Sequence, residues 1–241
     1  MKGKIVVITG ALGALGSVVA DAAIARGAKV AGVDHAPSRF AATAERLELG
    51  GVDLSDPAQA KQAIDTAAQH FGGLDALINI AGGFAFEAVA DGDDKTWQNN
   101  TWQNNTWQNN TWQRMHALNV LTALNASRAA LTHLASSSAG RIVNVGAIGA
   151  LQAGAGMGAY AASKAGVHRL TEALAAEWKG KVTVNAVLPS IIDTEANRNS
   201  MPKADFSKWV QPQELAEVIL FLASDAASAV TGALIPVAGR V

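Results

Sequence analysis

Short apolar runs alternating with longer, alanine-rich stretches of helical period restrict the fold of this 241-residue chain more than any other feature. The apolar runs have the length of buried strands, and the stretches between them are long enough to connect parallel neighbours as helices. We predict strands at Ile5–Thr9, Lys29–Asp34, Leu47–Val52, Leu74–Ile80, Arg141–Val145, Val182–Leu188 and Leu234–Val237. We predict helices at Ala14–Arg26, Pro57–Phe71 (with Asp56 as its N-cap), Gln113–Leu134, Ala159–Trp178 and Pro212–Ala223. This order predicts an α/β fold, a doubly wound sheet of about seven parallel strands with helices on both faces.

The length fits one such domain, residues 1–241, because open sheets covered by helices commonly reach this size without dividing. The formal net charge is −1 and no basic run is present, so we expect a small-molecule substrate and neither a nucleic acid nor a membrane as partner. The absence of cysteine excludes disulfides and thiolate catalysis, and the five histidines show no close ligand spacing, so we expect no metal site. The N-terminus enters a short strand instead of a signal-peptide core, which predicts a cytoplasmic protein.

One segment departs from the alternation, since Thr-Trp-Gln-Asn-Asn occurs three times in succession over residues 96–110 and a fourth copy begins at Thr111. A period of five turns successive tryptophans to different faces of a helix and to both faces of a strand. Units this short cannot build the core of a repeat fold, so we interpret 96–110 as a tandem insertion within the domain. We expect a mobile loop or a frayed helical extension; a lid over the substrate or a contact with a neighbouring subunit is the alternative.

Glycines are concentrated where the first predicted strand passes into the first predicted helix. Their spacing permits a tight turn, close approach of the backbone to a pyrophosphate, and close packing of helix on strand. The N-terminus of the helix also offers free N–H groups and the positive end of its dipole. We therefore expect this turn to bind the phosphates of a dinucleotide, although an ordinary strand-to-helix turn is the alternative. The residues concerned are Gly10, Leu12, Gly13, Ala14, Leu15 and Gly16.

Polar side chains follow the next three predicted strands. Asp34 ends the second strand, where a carboxylate can accept hydrogen bonds from the adenosine ribose and repel a 2′-phosphate. We therefore expect NAD(H) to be preferred. A solvated strand-end aspartate is the alternative, and Arg39 nearby leaves NADP(H) open. Further cofactor contacts are expected after the third and fourth strands, at Asp53, Leu54, Asn79, Ala81 and Gly82.

Tyr160 and Lys164 stand four residues apart at the start of a strong helical pattern, so their side chains share one face. A neighbouring ammonium stabilises a phenolate and lowers the pKa of the phenol, which would suit Tyr160 to act as a general acid or base. We expect Tyr160 to move a proton with the help of Lys164, while an ordinary pair on a helix surface is the alternative.

Five features occur along the chain in this order: Thr9-Gly10 with Gly13 and Gly16, Asn79-x-Ala81-Gly82, Asn119, Tyr160-x-x-x-Lys164, and Pro189 after the sixth strand. Together they resemble the short-chain dehydrogenase/reductase family over the whole chain outside the insertion. The resemblance implies a Rossmann-type fold, with Tyr160 as proton donor or acceptor, Lys164 on the nicotinamide ribose and Asn119 holding a relay water. It also implies that the nicotinamide is bordered by Pro189, Ile192 and Thr194.

Two positions depart from that family's pattern. Ala14 stands where the family has a glycine two places before Gly16, so we expect the phosphate turn to differ in detail. Ala147 stands where the family has a serine that polarises the substrate carbonyl, and with Ile148 it is expected to border the substrate. Loss of one such donor to a developing oxyanion costs about 3 kcal/mol in a ketone reductase.

A narrower resemblance accommodates the missing serine. Gly146-Ala147, Gly156-Met157, Gly166-Val167-His168 and much of residues 197–209 are similar to the dihydropteridine reductases, NADH-using members that also lack it. Their quinonoid dihydropterin accepts hydride through a conjugated C=N system that needs no donor to a ketone oxygen. The stretch Val218–Val241 is instead similar to ordinary bacterial members, so a carbonyl reductase or alcohol dehydrogenase of unknown substrate is the alternative.

These observations predict an NAD(H)-dependent oxidoreductase. A non-catalytic, NAD-binding regulatory module is the alternative from another class, and the retention of Asn119, Tyr160 and Lys164 argues against it. The resemblance also implies a homodimer or homotetramer, because members of the family commonly associate through the helices that correspond to Gln113–Leu134 and Ala159–Trp178.

Overall fold

A computed structural model describes residues 1–91 and 111–241 of the chain. Its strands are β1 (Ile5–Thr9), β2 (Lys29–Val33), β3 (Arg46–Leu49), β4 (Ala76–Asn79), β5 (Gly140–Val145), β6 (Val182–Pro189) and β7 (Leu234–Val237). They pair in parallel as one sheet in the order β3-β2-β1-β4-β5-β6-β7. The predicted fold class is therefore confirmed, while the assignment of residues 1–241 to one domain stays a prediction.

Helices cover both faces of this sheet. In the described ranges they are α1 (Ala14–Ala25), α2 (Pro57–Phe71), α3 (Thr111–His116), α4 (Thr122–Leu134), α5 (Gly158–Glu177), α6 (Glu195–Ser200) and α7 (Pro212–Leu222). Short 3₁₀ turns occur at Val89–Asp91, Ile148–Ala150, Phe206–Lys208 and Asp225–Ala227. As predicted, Asp56 caps α2 by accepting hydrogen bonds from the amides of Ala58 and Gln59. None of these helices combines the length and the apolarity needed to span a bilayer.

The two faces of the sheet bury separate apolar clusters, as the two-residue period of a strand requires. Val6 and Ile8 of β1 face the cluster that includes α1 and α7, whereas Val7 between them faces the cluster that includes α2, α4 and α5. Alanines such as Ala23 and Ala67 are fully buried there, because small side chains let helices approach the sheet closely.

The helix predicted at Gln113–Leu134 is interrupted in the structure. A π-helical turn at Ala117–Leu121 separates α3 from α4, and it contains Asn119. A widened turn cannot be inferred from hydrophobic period, and such turns are frequent at functional sites. α6 was not predicted at all, because one and a half turns of mostly polar residues leave no periodic signal. The predicted insertion 96–110 lies outside the described residues.

The carboxyl ends of β1 and β4 form the crevice of the sheet. From β1 the chain moves outward through β2 and β3, and it then returns to the other side of β1 as β4. The direction of winding therefore changes between β1 and β4. Open α/β sheets bind ligands at such a switch point. Thr9 is in register with both Val33 and Asn79, so the loops that follow β1, β2 and β4 leave the sheet side by side.

Candidate active site

The turn between β1 and α1 depends on two glycines that are each in close contact with backbone. Gly10 has a φ of 67°, in the left-handed region, and a Cβ added there would lie 2.8 Å from the amide nitrogen of Ala81. A Cβ added at Gly16 would lie 2.0 Å from the carbonyl oxygen of Gly10. The turn is therefore folded tightly against both the loop after β4 and the first turn of α1.

Gly13 is the N-cap of α1 and has no side chain with which to satisfy the first amides of the helix. Ala14 follows it in place of the family's glycine. Ala14, Leu15 and Gly16 provide the first turn of the helix, and all three line the cavity described next. This arrangement suits a phosphate group, because free N–H groups and the positive end of the dipole meet there.

A cavity of about 470 Å³ opens at the carboxyl ends of β1, β2 and β4. Its lining includes eleven residues predicted to bind the cofactor: Gly10, Leu12, Gly13, Ala14, Leu15, Gly16, Asp34, Asp53, Leu54, Ala81 and Gly82. Six further residues complete the lining, and of these only Ile80 lies within a predicted cofactor segment, 79–82: His35, Ala36, Val52, Ile80, Leu118 and Thr122. Leu118 and Thr122 come from the π turn and α4, distant in sequence, so no local motif could have identified them.

Asp34 shapes the end of this cavity beside β2. Its carboxylate accepts hydrogen bonds from the amides of Leu12 and Ala36, at 2.9 and 3.0 Å. The guanidinium of Arg39 donates to the carbonyl oxygen of Leu12 at 2.8 Å, so a cation also lies beside the same turn. The carboxylate thus holds the glycine turn against the end of β2, and the structure brings Asp34 and Arg39 to the same turn.

Asp53 and Leu54 are held in place by neighbouring polar groups. The carboxylate of Asp53 accepts hydrogen bonds from the amide and the hydroxyl of Ser55. The amide of Asn125 on α4 donates to the carbonyl oxygens of Leu54 and Ser55, at 3.1 and 3.0 Å. Asn125 is therefore a positioning residue for this wall of the cavity, which the sequence analysis did not identify.

Asn79 does not line the cavity. It is buried behind the loop, where its amide donates to Ser127 and Asn144 and ties β4 to α4 and β5. The loop itself is held by Thr9, whose hydroxyl accepts hydrogen bonds from the amides of Ile80 and Ala81. The side chain of Asn79 therefore joins β4 to its neighbours instead of lining the cavity.

Tyr160 and Lys164 lie on the first turns of α5, on one face as expected. Burial raises the pKa of Tyr160 to about 12 and lowers the pKa of Lys164 to about 8. The ammonium of Lys164 donates to the carbonyl oxygen of Val145 at 2.8 Å. The pKa of Tyr160 is therefore raised where the sequence predicts a lowered value, because desolvation of the phenol outweighs any lowering by Lys164. Among the described residues, the hydroxyl of Tyr160 has no hydrogen-bond partner. The ring of Tyr160 packs edge-on against the ring of Phe84, with 4.9 Å between the ring centroids.

Asn119 links three parts of the site from within the π turn. Its Oδ1 accepts a hydrogen bond from the amide of Gly83, and its Nδ2 donates to the Gly83 carbonyl oxygen and to Ser163 Oγ, each at 3.0 Å. Ser163 donates in turn to the carbonyl oxygen of Tyr160. A Cβ added at Gly82 would lie 2.5 Å from Asn119 Oδ1 and 3.4 Å from Lys164 Nζ. Gly82 therefore joins the glycine-lined cavity to the Tyr160 site.

Ala147 is buried at the end of β5, and nothing on it can donate to a substrate oxygen. It has no hydroxyl, and its amide already donates to Nε2 of His168 at 3.3 Å. Burial lowers the pKa of His168, which keeps the ring neutral and Nε2 able to accept. A Cβ added at Gly146 would lie 2.5 Å from the same nitrogen, so the position of the His168 ring requires glycine at 146. Ile148 begins the 3₁₀ turn that follows.

The end of β6 and the loop that follows it carry the predicted nicotinamide neighbours, none of which lines the cavity above. Pro189 is buried in the strand, Ile192 pairs in a bridge with Val210, and Thr194 caps α6 by accepting from the amide of Asn197. Hydrogen bonds from Arg198 hold the pKa of Asp193 at about 2, so this carboxylate stays ionised. The described residues contain no cluster of three acidic or histidine side chains able to hold a metal ion.

Comparison with known proteins agrees with this geometry. Residues 4–205 match the family described as short chain dehydrogenase. The chain is 32% identical to 2-(S)-hydroxypropyl-CoM dehydrogenase 3 of Xanthobacter autotrophicus over an alignment 261 positions long, which covers 99% of this chain and 96% of that protein. It is also 32% identical over 256 residues to a 3-oxoacyl-(acyl-carrier-protein) reductase of Pseudomonas aeruginosa, with coverages of 99% and 97%.

A solved structure with the same fold is aldohexose dehydrogenase of Thermoplasma acidophilum in its ligand-free form. It superimposes with a TM-score of 0.84 at 25% identity, over 99% of this chain and 94% of that one.

Proposed function

Because the chain belongs to the short-chain dehydrogenase family of oxidoreductases, we propose that it is an NAD(H)-dependent reductase in which Tyr160 donates the proton. The observation that carries this proposal is the position of Gly82, which lines the glycine-rich cavity and lies against the ammonium of the buried Lys164, since a Cβ added there would be 3.4 Å from Nζ. Lys164 shares a helix face with Tyr160, so the cavity and the Tyr160 site adjoin.

The cavity suits a dinucleotide on two grounds. One wall of the cavity is the turn at Gly10 and Gly16. Because these residues have no side chains, a pyrophosphate can approach the backbone and the N-terminus of α1. Its far end carries the carboxylate of Asp34, which favours two ribose hydroxyls over a 2′-phosphate. The hydride of the reaction comes from NADH when the cofactor is bound. NAD(H) is thus the proposed cofactor, and Arg39 is the residue through which NADP(H) would be accepted instead.

Tyr160 is suited to donating a proton more than to removing one. With its pKa raised to about 12, the phenol is fully protonated at neutral pH and gives its proton only when the substrate becomes basic. The protonated phenol is the form that reduction requires, and the reverse reaction would return the proton to the phenolate. Lys164, whose pKa is lowered to about 8, is mostly an ammonium at pH 7 and would stabilise the phenolate left after transfer.

Asn119 acts mainly as a positioning residue in this proposal. Both hydrogens of its Nδ2 are used by Gly83 and Ser163, so Oδ1 is the side-chain atom with capacity for a relay water. Oδ1 and the ammonium of Lys164 both lie against Gly82. A water there would return a proton to Tyr160 through Lys164.

The acceptor is proposed to be a conjugated system such as a quinonoid dihydropterin. This rests on Ala147, because neither its side chain nor its amide can stabilise a ketone oxyanion. A carbonyl reductase of unknown substrate is the second candidate, and the relatives reported above, a dehydrogenase of a CoM compound and an oxoacyl reductase, favour it. A cytoplasmic location and a homodimeric or homotetrameric state stay predictions.

NADH oxidation at 340 nm by the full-length protein tests the proposal, with quinonoid dihydropterin, quinones, imines and simple ketones as acceptors. Tyr160→Phe should reduce turnover about 10² to 10⁴-fold, because the phenol supplies the proton. The same variant should bind NADH with a Kd within about twofold of the parent protein, since the hydroxyl is not needed for docking. Unchanged turnover in the variant would remove Tyr160 from the mechanism. Tight NADH binding without reduction of any acceptor would identify a regulatory module.

A further inference from the structure

Two exposed aromatic side chains lie on the segment that contacts Tyr160. Phe84 is 60% exposed and Phe86 is 69% exposed, although apolar side chains of this size are normally buried. The two residues are separated by one position and lie between β4 and the 3₁₀ turn at Val89–Asp91. The ring of Phe84 meets Tyr160 edge-on, with 71° between the ring planes.

The backbone that carries these rings is fixed at both ends. Gly83, just before Phe84, exchanges two hydrogen bonds with the side chain of Asn119. Glu87, just after Phe86, donates its amide to the carbonyl oxygen of Gly156 at 2.8 Å, and its carboxylate accepts from Thr111. The backbone between these hydrogen bonds is therefore held in position before a ligand binds, which lowers the conformational entropy lost on binding.

Phe86 also depends on a residue of the facing loop. Gly156 has a φ of 71°, and a Cβ added there would lie 2.2 Å from Cζ of Phe86. The ring thus packs directly on the backbone that leads into α5. This contact places the second ring against the loop that leads into α5, four residues before Tyr160.

The two segments that carry and contact the rings, residues 82–90 and 147–159, contain one charged residue between them. Glu87 is the one charged residue in 82–90, and its carboxylate is already bonded to Thr111. Residues 147–159, which lead from the end of β5 to Tyr160, contain no charged residue. A substrate with a carboxylate, phosphate or sulfonate near its reacting carbon would lose hydration here without gaining an ion pair from these segments.

We propose that the substrate is an uncharged, planar ring compound with a conjugated carbonyl or imine, and that Phe84 and Phe86 select it by contact with its ring. This deepens the proposed function and rests on it. The occupant is the substrate because Phe84 contacts the ring of Tyr160, the residue that is proposed to deliver the proton. Aromatic faces bind flat rings without requiring directional hydrogen bonds. In the reaction the carbon of the C=O or C=N bond gains the hydride of NADH, the heteroatom gains the proton of Tyr160, and NADH leaves as NAD⁺.

Two diones that differ in their rings test this selection. 9,10-Phenanthrenequinone has a planar, uncharged ring system, and 2,3-butanedione has the same dicarbonyl group without rings. The ratio of kcat/KM for the first to kcat/KM for the second should fall about tenfold in Phe84→Ala and in Phe86→Ala, mostly through KM. Phe84→Leu should lower the ratio by less, because it keeps apolar contact and loses only the ring. Phe221→Ala is the matched control, since Phe221 is exposed on α7, outside the site.

An unchanged ratio in both alanine variants, or a fall of the same size in Phe221→Ala, would overturn the selection while leaving the reductase intact. Failure of the parent protein to reduce any acceptor would instead defeat the proposed function. In that case, quenching of tryptophan fluorescence by phenanthrenequinone still decides the binding claim. Weaker quenching in Phe84→Ala and Phe86→Ala than in Phe221→Ala supports a ring-binding surface, and equal quenching overturns it.

Discussion

Gly16→Ala should destabilise the protein and weaken NADH binding together. The added methyl group would lie 2.0 Å from the carbonyl oxygen of Gly10 and 2.8 Å from Cα of Ala11. Both atoms belong to the backbone, so no side-chain rotation can relieve the overlap. α1 must move away from β1, or the turn must open, and either change displaces the amides that line the cavity.

The expected cost lies at the upper end of the range for overpacking, about 3 kcal/mol or more. For a chain of this size each kcal/mol lowers the melting temperature by about 2–4 °C, so the midpoint should fall by roughly 6–12 °C. Gly13→Ala is the matched control in the same turn. Its added Cβ would meet only the Gly10 carbonyl oxygen, at 3.4 Å, and its φ of −77° suits any residue. The control should cost about 1 kcal/mol or less.

Thermal denaturation followed by circular dichroism gives the midpoints, and calorimetric titration with NADH gives the affinities. Melting of Gly16→Ala within about 3 °C of Gly13→Ala, together with equal NADH affinity, would show that α1 tolerates the methyl group. The claim that Gly16 is required for close packing of α1 on the turn would then be wrong.

Three further predictions concern the residues around the cofactor and substrate. Burial lowers the pKa of Lys164 from 10.5 to about 8, so the folded protein holds fewer protons than the unfolded chain between these values and its stability rises with pH across that window. Lys164→Met should therefore stabilise the protein at pH 7, and denaturant titrations should find that gain smaller by roughly 2 kcal/mol at pH 10; a gain that does not change with pH contradicts the shift. NADH should bind at least about tenfold more tightly than NADPH, and Asp34→Ser should shrink the ratio; equal dissociation constants in the parent protein would point to Arg39 as a phosphate ligand. Ala147→Ser should raise ketone reduction without raising dihydropterin reduction, and no change in either rate would count against the missing-donor argument.

The sheet and its cofactor end could be predicted because their signals are local. A buried strand is indicated by a run of consecutive apolar residues. The turn is indicated by Gly10 and Gly16, because its backbone conformation and close contacts permit only glycine at these positions. Asp34 follows from its position at the end of a strand. These features depend on a few consecutive residues, so the sequence alone determined the α/β fold and identified eleven residues of the cavity lining.

The chemistry of the Tyr160 site depended on contacts between distant segments. The spacing of Tyr160 and Lys164 predicted their shared face, but the raised pKa of Tyr160 comes from burial that no spacing reveals. The same is true of the π turn at Asn119, where hydrogen bonds to Gly83 and Ser163 join three segments far apart in the chain.

Only the tertiary structure decided what surrounds Tyr160. His168 takes the amide of Ala147, which leaves no donor at that position, and Phe84 stands against Tyr160 with its ring exposed. The sequence determined which groups are available, because secondary structure follows from local period and backbone freedom. Their protonation and partners were decided by packing, because desolvation and hydrogen bonding act between residues that are neighbours in space and not along the chain.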